Sequence, residues 1–176
     1  MSDLDALVSV DVETAGSHPS RYSLLSIGAC LVTRPEDNFY VELQPTTHDS
    51  IPEALAVSGL SLESLAASGT PAERAMEDFA TWAEAACADI GPPVFVGFNA
   101  PFDWMFVNDY FHRFIGRNPF GHAAVDIKSF YMGLAGVPWS ETTMAKITAH
   151  YGEKKELTHH ALQDARDQAA LFRRML

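Results

Sequence analysis

Short hydrophobic runs alternate with stretches of helical periodicity along the 176 residues, separated by glycine, proline and small polar residues. The runs rich in β-branched and aromatic residues predict strands near 6–12, 24–33, 38–44, 94–98 and 123–126. The first three strands follow one another through short turns, as in an antiparallel meander. The periodic stretches predict helices near 71–88, 101–115, 140–151 and 160–175, with two short helices between 52 and 65. The pattern therefore predicts an α/β protein in which helices cover one sheet.

The first predicted strand ends in two acidic residues. The apolar run Leu7–Val10 leads into Asp11 and Glu13, which are separated by Val12. Since side chains alternate along a strand, both carboxylates point to the same face. Two like charges on a buried strand repel each other and lose hydration, and divalent cations are the simplest compensation. Taken alone, the pair is also compatible with a wet strand end that has no function.

A third carboxylate follows the fourth predicted strand. The run Pro93–Phe98 is succeeded by Asn99, Pro101 and Asp103. Asn99 is expected to be the N-cap of a helix and Pro101 an early helical position, which places Asp103 in the first turn. A carboxylate there also interacts favourably with the helix dipole, so Asp103 alone could be purely structural. Its position directly after a core strand makes it a candidate metal ligand.

The last predicted helix begins near a histidine and another aspartate. Thr158 precedes the helical pattern, His159 lies at the start of the helix, and Asp164 follows more than one turn later. A histidine can exchange a proton near neutral pH and is a credible general base. The alternatives are that His159 caps the helix and that Asp164 is a solvated acid. The neighbouring His160 and Asp167 are expected to be structural or exposed.

Together the three segments resemble the three exonuclease motifs of the histidine branch of the DEDD superfamily (DEDDh). That group includes ribonuclease T, oligoribonuclease and the proofreading subunit of the bacterial replicase. Asp-Val-Glu-Thr-Ala-Gly at 11–16 is similar to the first motif, and Asn99 with Phe102 and Asp103 fits the second. The third motif, His-x-Ala-Leu-x-Asp-Ala, fits the chain only when its histidine is His159. Three motifs in the right order form a far more specific signal than any one of them.

The resemblance implies a ribonuclease H-like fold, with a central mixed five-stranded sheet flanked by helices, in a single exonuclease domain over residues 1–176. It also implies two divalent cations, Mg²⁺ or Mn²⁺. Two such ions can activate a water, stabilise the charge that develops on phosphorus and assist the leaving oxygen. Hard oxygen ligands suit these ions. In the family's pattern, the metal ligands are Asp11, Glu13, Asp103 and Asp164, and His159 takes the proton from the attacking water.

The same resemblance implies a reaction and a substrate. The enzyme would release nucleoside 5′-monophosphates from the 3′ ends of single-stranded DNA or RNA, or from short oligonucleotides. Glu13 and the backbone of Thr14 and Ala15 would hold the terminal 3′-hydroxyl. Asn99 and Phe102, which belong to the second motif, are candidate substrate-binding residues. Ribonuclease T carries an aromatic residue after the first motif where this chain has Ser17 and His18, so its end-trimming specificity does not carry over.

Composition limits the kinds of binding partner and the cellular compartment that are expected for this protein. A net charge of −11 argues against tight unspecific binding to long duplexes, because that affinity comes from lysine and arginine. No apolar run is long enough to predict a membrane span, and no signal peptide is recognised. The two cysteines, Cys30 and Cys87, lack metal-ligand spacing, which favours buried thiols in the cytoplasm. Resemblance to the dimeric members of the group makes a homodimer possible.

Two other functions remain open at this point. One is a catalytically weak module of the same fold that binds nucleic acid or docks on a polymerase, although the intact acids and His159 count against it. The other is a ribonuclease H-like endonuclease. Product analysis separates the last from an exonuclease, since mononucleotides indicate cleavage from an end and fragments indicate internal cleavage.

Overall fold

A mixed sheet forms the centre of the computed structural model, which describes residues 5–152 and 158–176. Within these residues the sheet has five strands: β1 Ala6–Thr14, β2 Leu24–Leu31, β3 Asn38–Glu42, β4 Pro93–Gly97 and β5 Ala124–Asp126. Their order across the sheet is β3-β2-β1-β4-β5. Strands β1, β2 and β3 pair antiparallel, whereas β4 is parallel to both β1 and β5. The predicted five-stranded mixed sheet and its initial meander are confirmed.

The described residues also form seven α-helices. They are α1 Pro52–Ser58, α2 Leu62–Ser68, α3 Ala72–Cys87, α4 Ala100–Tyr110, α5 Ile127–Ala135, α6 Met144–His150 and α7 Ala161–Arg173. A π-helical turn at Phe111–Ile115 continues α4, and a 3₁₀ turn at Trp139–Glu141 precedes α6, so the helices predicted over 101–115 and 140–151 each consist of two pieces. No helix among the described residues has the length and apolar character that crossing a membrane requires.

Helix α5 was not predicted from the sequence. Its aromatic residues, β-branched Ile127 and Gly133 have modest helical propensity, which hid the helix in the pattern. The structure shows that the Asp126 carboxylate caps this helix by accepting a hydrogen bond of 3.0 Å from the Ser129 N–H. Ile127 and Tyr131, one turn apart, are the buried residues of this helix and pack in one hydrophobic cluster with residues of β2, β4 and α7. Tertiary packing therefore outweighs weak local propensity here.

The two faces of β1 face different helix layers. Ala6, Val8, Val10 and Val12 belong to a hydrophobic core that includes residues of α3 and α4. Leu7, on the opposite face, packs in a second cluster with residues of α5, α6 and α7. Because Asp11 and Glu13 have the same parity as Leu7, the alternation places them on the α7 side of the sheet.

Candidate active site

Asp11 and Glu13 lie near the end of β1 on the face that α7 covers. Asp11 is paired with Gly28 of β2, and Glu13 with Ser26 of the same strand. Both acidic residues are half-buried. The two carboxylates share one face of the sheet, as the strand alternation predicts, and they face the start of α7 rather than a wet strand end.

Asp103 lies in the first turn of α4 and is only 5% exposed. Its Oδ1 accepts a hydrogen bond of 3.1 Å from the Val12 N–H, the residue between the two acids of β1. This contact joins two segments that are 91 residues apart in the sequence. It is possible because β1 and β4 are parallel, so that their carboxyl ends lie at the same edge of the sheet.

Asn99 is the N-cap residue of α4, as predicted, but its side chain does not accept, from any described residue, the hydrogen bond that usually accompanies this position. Asn99 has a left-handed backbone, with φ 64° and ψ 43°, and its side chain makes no capping hydrogen bond to the described residues. Asparagine tolerates this conformation better than most residues. The Ala100 N–H at the start of α4 instead donates to Oδ1 of Asp126, at 3.1 Å. The acceptor for this helix terminus thus comes from the end of β5.

Asp164 organises the chain in front of α7 and is 2% exposed. Its Oδ1 accepts hydrogen bonds from the N–H and the hydroxyl of Thr158, at 2.8 and 2.9 Å. Its Oδ2 accepts a hydrogen bond of 2.8 Å from the His159 N–H. His159 has a positive φ of 56°, and its side chain is exposed. Asp164 is therefore a buried anchor and not a solvated helix acid.

His160 and Asp167 make contacts of a different kind. The His160 ring stacks on Tyr40, with the ring centroids 4.7 Å apart. Asp167 is nearly buried and accepts a hydrogen bond of 2.8 Å from Nε2 of Gln163. These contacts agree with the expectation that both residues are structural or exposed.

Gly28 allows α7 to begin directly against the sheet. A Cβ atom added to Gly28 would lie 2.1 Å from the Leu162 nitrogen and 2.2 Å from the carbonyl carbon of Ala161. Such distances are far inside van der Waals contact, so only glycine allows this approach. Since Gly28 is the partner of Asp11 in the sheet, the close packing brings the start of α7 next to the acidic end of β1.

Carboxylates and a histidine from distant segments meet at this point. One potential ligand atom each from Glu13, His159 and Asp164 lie within 4.8 Å of one another. Atoms bound to the same Mg²⁺ at about 2.1 Å are separated by no more than about 4.2 Å, so the carboxylates of Glu13 and Asp164 are close to the separation that a shared ion requires. The oxygen-rich donor set suits a hard divalent cation.

Three acids of the site, Asp11, Glu13 and Asp103, resist ionisation in the protein alone. Burial, followed by the charges of Asp103, Glu13 and Asp164, raises the pKa of Asp11 well above its ordinary value. Burial and the charge of Asp164 raise the pKa of Glu13 to about 7. For Asp103, burial is the main cause that raises the pKa to about 8, with smaller contributions from Glu13 and Asp126. Bound cations would neutralise these charges, so the cluster fits a divalent metal site.

The sequence-predicted substrate residues lie around the same edge. Thr14 is nearly buried, and its hydroxyl donates to the Gly16 carbonyl at 2.8 Å. Ala15 is buried, and its N–H donates to the Ser23 carbonyl at 2.8 Å. Asn99 is exposed at the start of α4. Phe102 is half-buried and contacts Phe106, with ring centroids 5.5 Å apart.

Two polar residues of the site were not found from the sequence. Gln168 on α7 donates from Nε2 to Oδ1 of Asp11 at 2.6 Å. Asp126 accepts hydrogen bonds from the starts of both α4 and α5. A glutamine within the apolar stripe of the last helix was the only local signal for Gln168. Asp126 is the last residue of the fifth predicted strand, and an acidic residue at a strand end was a usable signal.

A mixed five-stranded sheet with two carboxylates on its central strand, a third at the start of α4, and a histidine and a fourth carboxylate at the start of α7 is the architecture of a nuclease of the ribonuclease H-like fold. Residues 8–172 match the RNase_T family model, described as exonuclease. The chain is 46% identical to the 3′-5′ DNA exonuclease Cap18 of Escherichia coli over 172 residues, which cover 98% of this chain and 92% of that protein. It therefore belongs to the RNase_T exonuclease family and is a 3′-5′ exonuclease, a phosphodiester hydrolase of the DnaQ-like group.

Two further comparisons agree with this assignment. Ribonuclease T of Shewanella denitrificans is 33% identical over 181 residues, covering 94% of this chain and 77% of that protein. The solved nuclease domain of 3′hExo, a DEDDh family member bound to rAMP, superposes with a TM-score of 0.79 at 15% identity. That match covers 98% of this chain and 94% of the solved one, and it shows the ribonuclease H-like fold.

Proposed function

We propose that this exonuclease removes nucleoside 5′-monophosphates from the 3′ ends of single-stranded DNA or RNA, using two divalent cations and His159 as a general base. The observation that carries the proposal is the convergence of Glu13, His159 and Asp164 within 4.8 Å, beside the half-buried Asp11 and the buried Asp103. Short oligonucleotides are included among the proposed substrates. Mg²⁺ is the proposed physiological ion, and Mn²⁺ a substitute.

The proposed metal ligands are Asp11, Glu13, Asp103 and Asp164. Burial and mutual repulsion raise the pKa values of the first three, and a cation would relieve both costs. When bound, a pair of such cations polarises a phosphodiester and promotes ionisation of water at neutral pH. The residues themselves supply the fixed geometry, because Val12 and His159 hold the carboxylates of Asp103 and Asp164 through backbone N–H groups.

His159 is placed to move a proton at the edge of this cluster. Its backbone N–H is held by Asp164, while its imidazole remains exposed and comes close to Glu13. A general base must reach the attacking water and then pass the proton to solvent, and an exposed ring next to the metal ligands satisfies both requirements. The left-handed backbone of His159 is consistent with a residue whose position is set by function.

A small pocket of about 100 Å³ adjoins Glu13 and is a proposed place for the terminal nucleoside. Its walls include Ser26, Tyr40 and Leu60, so a base or sugar would meet both an apolar side chain and hydroxyl groups. We propose that Thr14, Ala15, Asn99 and Phe102 also contact the substrate. Because the Ala15 N–H already donates to Ser23, any contact from Ala15 would have to use another group.

The relatives' names direct the choice of nucleic acid. The relative at 46% identity is named a DNA exonuclease, and the relative at 33% identity is named a ribonuclease. We propose single-stranded DNA as the first substrate to test, with RNA as its direct competitor. Discrimination between them depends on how the site treats the 2′-hydroxyl group.

The organisation of the protein is part of the proposal. A single exonuclease domain over residues 1–176 is supported by one continuous sheet and by the family match over 8–172. A cytoplasmic location is supported by Cys30 and Cys87, which are buried free thiols. A homodimer stays a prediction, and sedimentation equilibrium tests it.

The primary experiment follows 5′-labelled single-stranded DNA and the matching RNA on a denaturing gel, with Mg²⁺, Mn²⁺ or EDTA. We expect a ladder that shortens from the 3′ end only when metal is present, and nucleoside 5′-monophosphates as products. Asp11→Ala removes a central ligand and should abolish the ladder. Fragments without mononucleotides would indicate an endonuclease, and no cleavage of either substrate would favour the docking module.

The general base is tested by a pair of adjacent histidines. His159→Ala should lower kcat by about 100-fold or more and leave Mn²⁺ binding intact, because the imidazole moves a proton and is not needed to hold the ion. The matched variant, His160→Ala, removes a ring that stacks on Tyr40 and lines the pocket beside Glu13, so it should alter KM at most and leave kcat unchanged. Equal losses of kcat in the two variants would contradict the assignment of His159.

A further inference from the structure

Gln168 connects three elements at the site through one side-chain amide. It lies on α7, one turn after Asp164, and is 1% exposed. Its Nε2 donates to Oδ1 of Asp11 on β1 at 2.6 Å, and its Oε1 accepts a hydrogen bond of 2.9 Å from the Phe98 N–H. Phe98 directly follows β4 and precedes Asn99. The amide therefore joins the ends of β1 and β4 to the helix that carries Asp164.

The chemistry of the partners fixes which way the amide points. The Phe98 backbone nitrogen can only donate, so the atom facing it must be the amide oxygen of Gln168. The amide NH₂ then faces Asp11, whose carboxylate can only accept when it is ionised. The Gln168 side chain is almost completely buried, so water does not easily replace a partner that its amide loses. The side chain consequently has one favourable orientation.

This arrangement constrains Asp11 without neutralising it. The hydrogen bond uses one acceptor position on Oδ1, and it leaves the other lone pairs of the carboxylate available to a cation. A lysine or arginine at this position would compete with a metal ion for the negative charge, whereas a neutral amide does not. Groups that orient a ligand in this way commonly change metal affinity or activity by about 10- to 100-fold when they are removed.

We propose that Gln168 is a positioning residue that holds the Asp11 carboxylate in its metal-binding orientation, and so sets the affinity of the site for divalent cations. The inference rests on the proposed function, since it assumes that Asp11 is a metal ligand. In this role Gln168 would contact Asp11 and the Phe98 N–H, and not the substrate or the reacting atoms. It acts through Asp11, and through the Phe98 contact it keeps that carboxylate in register with the start of α4.

Two substitutions separate the contact with Asp11 from the contact with Phe98. Gln168→Met keeps the length of the side chain but loses both hydrogen bonds. Gln168→Glu keeps an acceptor for the Phe98 N–H and places a carboxylate against Asp11 in place of the donor. The matched control is Gln163→Met, which removes a similar amide–carboxylate hydrogen bond, to Asp167, from an exposed position of the same helix.

The test consists of three measurements. Calorimetry gives the affinity of the metal-free protein for Mn²⁺, and cleavage of 5′-labelled single-stranded DNA gives the Mg²⁺ concentration at half the maximal rate. Thermal denaturation in EDTA gives Tm. We expect Gln168→Met to weaken Mn²⁺ binding and raise the half-saturating Mg²⁺ concentration by about tenfold or more, with much of kcat recovered at high Mg²⁺. Gln168→Glu should also disturb metal binding although the Phe98 contact survives. Gln163→Met should behave as the unsubstituted protein.

Two results would overturn the inference. Unchanged Mn²⁺ binding and half-saturating Mg²⁺ in Gln168→Met would show that the amide does not position Asp11. The second result is that Gln168→Met lowers Tm and kcat, that high Mg²⁺ does not restore kcat, and that Mn²⁺ affinity is unchanged. This combination would show that Gln168 contributes only to packing. Failure of the proposed function itself is distinguishable, because then the unsubstituted protein would neither bind Mn²⁺ nor require metal for cleavage.

Discussion

Asp103 has an ionisable side chain in an interior position, where a neutral side chain would destabilise the folded protein less. Its carboxylate is 5% exposed and accepts the Val12 N–H, yet burial still raises its pKa to about 8. Glu13 shows the same behaviour, with a pKa of about 7. In the protein alone, such residues reduce the stability of the fold at neutral pH. Their presence is understandable if a bound cation compensates them during catalysis.

The pH dependence of stability follows from the raised pKa of Asp103. The unfolded carboxyl titrates near 4, so between about pH 4 and pH 8 the folded protein binds the proton more tightly than the unfolded chain does. The free energy of unfolding in EDTA should therefore fall as the pH rises through this window. The raised pKa of Glu13 lowers the free energy of unfolding in the same direction as the pH rises to about 7.

Asp103→Asn isolates this effect. The amide oxygen can still accept the Val12 N–H, but the side chain cannot ionise. In EDTA at pH 8 the variant should have a higher Tm than the unsubstituted protein, the difference should shrink towards pH 4, and nuclease activity should be lost. Thermal denaturation of both proteins between pH 4 and pH 8 measures the difference in Tm. A Tm at pH 8 equal to or below that of the unsubstituted protein would contradict the assigned cost of the buried carboxylate.

At the scale of elements, the start of α7 is the critical junction. Gly28 lets the first residues of this helix lie against β2, and Asp164 then holds Thr158 and His159 through three hydrogen bonds. On the other side of the site, Asp126 connects the end of β5 to the start of α4. The catalytic geometry thus depends on where helices begin on the sheet, and small displacements of these starts would separate the carboxylates.

Gly28→Ala tests this junction. The added methyl would lie 2.1 Å from the Leu162 nitrogen, so α7 must move away from the sheet. We expect a loss of about 1–3 kcal/mol in stability from overpacking, and a loss of activity beyond that explained by unfolding, because Asp164 and His159 move together. Denaturant unfolding and single-turnover cleavage measure the two effects.

Gly133→Ala is the matched control for Gly28→Ala. Gly133 lies in α5 with open space around the added Cβ, so the same substitution should be neutral or stabilise by about 0.5–1 kcal/mol. A Gly28→Ala protein as active and as stable as this control would show that the close packing of α7 is not required.

At the scale of the whole molecule, topology and charge act together. The parallel arrangement of β1, β4 and β5 brings three carboxyl ends to one edge, and α7 returns from the end of the chain to the same place. The protein carries 23 acidic and 12 basic side chains, a net charge of −11. Such a surface gives little general attraction for a phosphate backbone, so binding should depend on the site itself.

Salt dependence tests this view of substrate binding. With the inactive Asp103→Asn protein and Mg²⁺, fluorescence anisotropy should show weaker binding of a duplex than of a short single strand. The plot of log affinity against log salt should have a shallow slope, below about 3 in magnitude, because few basic groups contact phosphates. A steep slope together with tight duplex binding would point to an extended basic surface instead.

Much of the fold was predictable because strands and helices are encoded locally. The alternation along Leu7–Glu13 placed both acids of β1 on one face, and the turn residues after Phe98 placed Asp103 in the first turn of a helix. The errors occurred where local signals were weak or were overridden. Helix α5 has modest propensity and is stabilised by its cap and its buried face, and Asn99 adopts a left-handed backbone while Asp126 accepts the helix N–H.

Local patterns in the sequence specify the alternation of β1, the start of the helix that carries Asp103, and the three motifs with the acids and His159. The way in which these residues are held comes from contacts made in the assembled fold. Gln168 meets Asp11 across 157 residues, and Gly28 is needed because the start of α7 packs on it. Contacts of this kind leave no periodicity in the sequence, because they depend on which elements become neighbours when the sheet assembles.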